Sequence, residues 1–209
     1  MRSLLAVPAA IGVLALVAAC GSGSGGGSQG PSTSLPPSAS TAHTPIFPAG
    51  PGPAGGHEVV QGPASIVVSS GFEQQGDPAQ QSKSTSVSFV SSEQAQGKRV
   101  AIVVSWSNGK DAKTAKQEAQ AFRGQLLDVE HVGDLRMVRV SWPGLHDAYQ
   151  FAYTDHNVTP AAKTLVLMGE SASGQYVSVT AKSPAALVQS QHVAAVCGSL
   201  RLHGASSTT

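Results

Sequence analysis

Apolar residues are spread along this chain in three different ways, and each predicts a different kind of structure. From Leu4 to Ala19 they run on almost without a break. From Gly21 to Gly56 they nearly vanish, leaving Ile46-Phe47 as the one apolar pair in a stretch of Gly, Ser and Pro. From His57 to His203 they recur with the periods of strands and helices.

In that last region Glu58-Val59-Val60 and Ser65-Ile66-Val67-Val68 predict short strands. Ser69 to Lys83, with its Gly, Gln and Asp-Pro, predicts a loop. Thr85 to Ser91 sets Val87 and Phe89 against serines, the alternation of a strand with one apolar face. Lys98 to Trp106 places Val100, Ile102, Val104 and Trp106 on a single face, and Asn108-Gly109 ends it. Between Asp111 and Leu127 the apolar positions Ala112, Ala115, Ala119, Phe122 and Leu126 fall three or four apart. That spacing predicts a helix with Asp111 as its N-cap or first-turn acid. Leu135 to Trp142 and Ala148 to Thr154 form a hairpin about Pro143-Gly144, with Tyr149, Phe151 and Tyr153 on one face. Lys163 to Met168 and Gln175 to Ala181 form a second hairpin about Ser171 to Gly174. Ser183 as cap and Pro184 at the first position open a closing helix. On it Val193, Val196, Cys197 and Leu200 make the apolar stripe. This order predicts an α+β domain: an antiparallel sheet of about six to seven strands packed with two main helices.

The first apolar run reads as a targeting segment. It follows one basic residue, Arg2, and spans 16 residues to Ala19, short of the roughly 20 that a membrane-spanning helix needs. Pro8 and Gly12 weaken it further as a span. A charged start, an apolar middle and small residues before a cut describe a secretory signal. The terminal Leu16-Val17-Ala18-Ala19-Cys20 resembles the lipobox of bacterial lipoproteins. That resemblance implies cleavage after residue 19 and lipidation of Cys20, with residues 1–19 as signal peptide. Acyl chains bind a bilayer by about 0.8 kcal/mol per buried methylene, and stable anchoring takes more than one chain. A diacylglyceryl group on Cys20 meets that requirement.

Residues 20–56 are then a lipidated cysteine and a tether. Their composition buries too little surface to offset the entropy of ordering. As a flexible coil the 36 residues from Gly21 to Gly56 reach roughly 30–36 Å root-mean-square. Residues 57–203 are the folded domain, and residues 204–209 a frayed tail.

Composition narrows the function. Thirteen basic and 12 acidic residues leave a net charge of +1, which carries no electrostatic footprint for nucleic acid. The chain has two cysteines; with Cys20 lipidated, Cys197 has no partner for a disulfide. On the apolar stripe Cys197 reads as a small core residue, and Gly198 beside it as a mark of close helix–sheet contact. No cofactor motif is present. Among seven histidines, none stands in H-x-H or H-E-x-x-H spacing, so no metal is expected. His146-Asp147 and Asp155-His156 bracket one strand and lie near 30 Å apart, at about 3.3 Å per residue, too far to share an ion. Gly169-Glu170-Ser171-Ala172-Ser173-Gly174 approaches a nucleophile elbow but has Ser where the second Gly belongs. It also falls between two strands, so a hairpin loop is the better reading of Ser171. Trp106, Trp142, Tyr149, Phe151 and Tyr153 are candidates for a ligand groove, but half of an antiparallel sheet must face a core, and core roles are preferred.

The element order, together with the C-terminal run YVSVTAKSPAALVQSQHVAAVCGSLRL ending in Ser199-Leu200-Arg201, resembles the PsbP-like fold. Within it the lipobox and linker resemble the actinobacterial lipoproteins of the LpqN and LpqT type. The resemblance implies a binding or assembly protein without catalytic residues. The expected function is a membrane-anchored, extracytoplasmic lipoprotein with a non-catalytic domain in the cell envelope. Its partners are the membrane, through Cys20, and an envelope protein or lipid, with no nucleic acid. The alternatives are a carrier or sensor of an apolar ligand such as envelope lipid, which needs an open aromatic-lined cleft, and, less favoured, a hydrolase.

Overall fold

The structure, a computed structural model, describes residues 44–81, 83–107 and 114–203. Short alternating segments dominate, and they pair into two sheets. The strands are β1 (His57–Gln61), β2 (Ala64–Val68), β3 (Phe72–Gln74), β4 (Ala79–Gln80), β5 (Ser84–Ala95) and β6 (Lys98–Ser107). After helix α1 (Ala115–Leu127) come β7 (Val132–Trp142), β8 (Leu145–Asp155), β9 (Ala162–Glu170) and β10 (Tyr176–Pro184). Two short helices, α2 (Leu187–Ser190) and α3 (Val193–Gly198), precede β11 (Arg201–Leu202).

The larger sheet runs β3-β5-β6-β10-β9-β8-β7, with β4 also on β5, and has eight strands. The smaller runs β1-β2-β11. Every pairing is antiparallel. The architecture is therefore mostly antiparallel sheet, richer in strands than the six or seven expected, and its helices are one of 13 residues and two of four and six.

Two local choices explain the difference. The expected loop from Ser69 to Lys83 contains β3 and β4, both of which pair with β5 and so widen the sheet. The expected closing helix begins late and breaks. Ser183 and Pro184 continue β10, with Pro184 as its last residue opposite Ala162, where a missing N–H is tolerated. His192 then adopts a left-handed φ of 50° and separates α2 from α3. The apolar stripe survives the break, since Val193, Val196, Cys197 and Leu200 are all buried.

Register sorts the large sheet into two faces, because successive side chains on a strand point opposite ways. One inner row reads Val138, Gln150, Leu167, Val179, Val104 and Val87 across β7, β8, β9, β10, β6 and β5. Residues of this face pack with Ile66 and Val68 of β2, Leu187 of α2 and Val196 of α3 in the main core. An outer row reads Met137, Phe151, Val166, Thr180, Val103 and Ser88. Only its apolar end enters the second core, where Phe151 and Val166 meet Ala115 and Ala119 of α1. The Phe122 ring stands edge-on to Phe151, 5.1 Å between centroids.

Helix α1 starts later than Asp111, which lies outside the described residues. Thr114 is the N-cap: its hydroxyl accepts from the Gln117 N–H, and the Gln117 side chain accepts from the Thr114 N–H. This is the reciprocal capping box of a T-x-x-Q sequence. Alanines at 115 and 119 let the helix lie close to the sheet.

Candidate functional site

Cys20, the one site residue expected from sequence, lies outside the described residues. The others are placed as follows.

Ser171 sits in the β9–β10 turn. Its hydroxyl accepts from the Gln175 N–H at 3.0 Å and pairs with the Ser173 hydroxyl at 2.8 Å. Both bonds close the turn. The neighbouring Glu170 carboxylate accepts from the Ala115 N–H at 3.1 Å, so it holds the N-terminus of α1, where a negative charge is favoured.

The two His/Asp pairs at the ends of β8 have separate partners. Asp147 takes a 2.7 Å bond from Arg139 across the β7–β8 hairpin. Asp155 takes the Lys182 ammonium at 2.7 Å, the Asn157 N–H at 3.0 Å and approaches His131 at 3.7 Å. Burial by itself raises the Asp155 carboxyl, but the bond from Lys182, the Asn157 N–H and the charges of Lys182 and His131 outweigh it, and the net shift is downward. The group is an ion-paired corner of the sheet. Among the described residues no cluster of His, Cys, Asp or Glu is arranged to hold a metal ion.

Cys197 is fully buried, and desolvation pushes its thiol up to about 12. A thiol so placed is inert, as its position on the apolar stripe suggested. The aromatic residues divide between the two cores: Trp106 and Trp142 lie in the main one, Tyr149 and Phe151 in that beneath α1. None of these four is more than 9% exposed. Among the described residues these four rings are packed into the two cores and do not line an open groove. Burial raises the phenol of Tyr153, whose ring packs against the second core and lies 6.3 Å from Phe122.

The arrangement that the sequence did not reveal lies where a tether was expected. Residues 45–50 are a strap laid along the main core. Phe47 is 1% exposed and meets Trp142 edge-on with centroids 6.0 Å apart. Beneath it Gln150, the polar member of the inner row, is 0% exposed. Its Oε1 accepts from Ile46 N–H at 2.7 Å and from Phe47 N–H at 3.4 Å, while its Nε2 donates to Phe47 C=O at 2.7 Å. Further on, Gly50 N–H donates to Gly198 C=O at 3.0 Å, and Arg201 Nη2 donates to Gly50 C=O at 2.7 Å. Gly198 is required here: a Cβ on it would stand 2.5 Å from the Pro48 oxygen. The close approach inferred for Gly198 is thus to the strap, not to the sheet. The folded part begins by Ile46 rather than His57. One signal was available, a glutamine at an inward position of β8, since a buried amide needs partners.

Among the described residues no helix is long and apolar enough to cross a membrane. No protein-family model matches the chain, and no curated protein does. Among solved structures, matching chains include LpqN, described as involved in cell envelope biogenesis of Mycobacterium tuberculosis. It is 10% identical, with a TM-score of 0.48 over 67% of this chain and 83% of that one. Figures this low transfer no role from that protein to this one.

Proposed function

We propose that the protein is a lipid-anchored, extracytoplasmic lipoprotein of the cell membrane whose domain binds an envelope partner and performs no chemistry. The observation that carries this reading is the order Arg2, an apolar run from Leu4, and Leu16-Val17-Ala18-Ala19-Cys20. Lipidation at Cys20 fixes the location, and the Gly/Ser/Pro tether after it gives the domain reach. The non-catalytic part is supported by the hydrogen bonds of the Ser171 hydroxyl, which serve the turn, and by the inert burial of Cys197. A partner protein or lipid headgroup meets the outside of the domain, because the aromatic side chains that could line an apolar cavity are packed away.

Metabolic labelling with an alkyne fatty acid tests the anchor. Wild type is marked and sediments with membranes. Cys20→Ala is unmarked and either soluble or left as an uncleaved precursor. Equal labelling of the two ends the lipoprotein reading. Hydrolysis of a generic ester, phosphate or peptide substrate that Ser171→Ala abolishes would end the non-catalytic one.

A further inference from the structure

We draw no further inference here: the strongest candidate, the outer side of β5, β6 and β10 beyond α1, where Ser86, Ser88, Ser105, Ser178 and Thr180 stand half-buried, carries nothing, because nothing in the structure shows what covers it.

Discussion

The two faces of the eight-stranded sheet are finished differently. The inner face is closed by material from both ends of the chain: the strap and β2 from one end, α2, α3 and Leu200 from the other. The outer face is closed by a single local element, α1, which packs over β7, β8 and β9. Beyond the helix the outer row continues as Thr180, Val103 and Ser88, all half-buried. A face sealed by distant segments resists local opening, because every contact removed is also a cross-link between chain ends. A face sealed by one helix can open by losing that helix alone. The inner face should carry the global stability, and the outer face should respond locally.

Phe47→Ala should have the largest effect of the single substitutions. Truncating a buried phenylalanine costs about 3–5 kcal/mol, and urea unfolding should show it as a lower midpoint with an unchanged slope. Deleting residues 20–56 should cost at least as much, whereas deleting 20–43 should change little. Equal stability of the two truncations would show that the strap does not seal the inner face.

On the outer face, Phe122→Ala should cost about 2 kcal/mol, less than a core phenylalanine because its ring lies at the partly exposed edge of the second core. Amide exchange should quicken along α1 and leave β6 and β10 protected. Uniform quickening would mean that the two faces unfold as one.

Cys197 gives the inner face a dependence on alkaline pH. Its folded thiol is raised to about 12, against about 8.5 for a free thiol. Below 8.5 both states hold the proton and the stabilisation is complete. As pH rises towards 12 the unfolded state ionises first, so stability falls by at most about 1.4 kcal/mol per pH unit. Cys197→Ala should flatten that fall, a change read from urea midpoints at pH 8 and pH 10.5. Parallel slopes would place the thiol in contact with water.

Asp155→Asn should have the smallest effect, about 0.5 kcal/mol at neutral pH, since Lys182 is half exposed and solvent screens the pair. The carboxyl is depressed in the folded state. Its contribution is present above the ordinary carboxylate range and lost as pH falls through the folded value. Wild type and variant should converge once the pH falls below that folded value. A constant gap down to that pH would show that the loss is one of packing.

Local patterns revealed much of the outer face. The β7–β8 hairpin, the alternation of Tyr149, Phe151 and Tyr153, and the Ala115, Ala119, Phe122 and Leu126 stripe all depend on residues near one another in sequence. Even the true cap of α1 was present as Thr114-Ala115-Lys116-Gln117. The inner face was half legible. Val87, Phe89, Val100, Ile102 and Val104 declared a buried side by their period of two, but nothing nearby stated what would bury it.

The sequence by itself determined the strand and helix stretches whose periodicity is local, and the apolar run that ends at Cys20. Tertiary structure decided that Pro184 would end a strand and not begin a helix, since Ala162 lies opposite it. It also decided that Ile46-Phe47, isolated among Pro and Gly, would join the core. The physical reason is the same in both cases. A short apolar pair has no period to read, and a proline satisfies either role. The outcome rests on partners such as Gln150 and Trp142, about 100 residues away, which only the folded chain brings into contact.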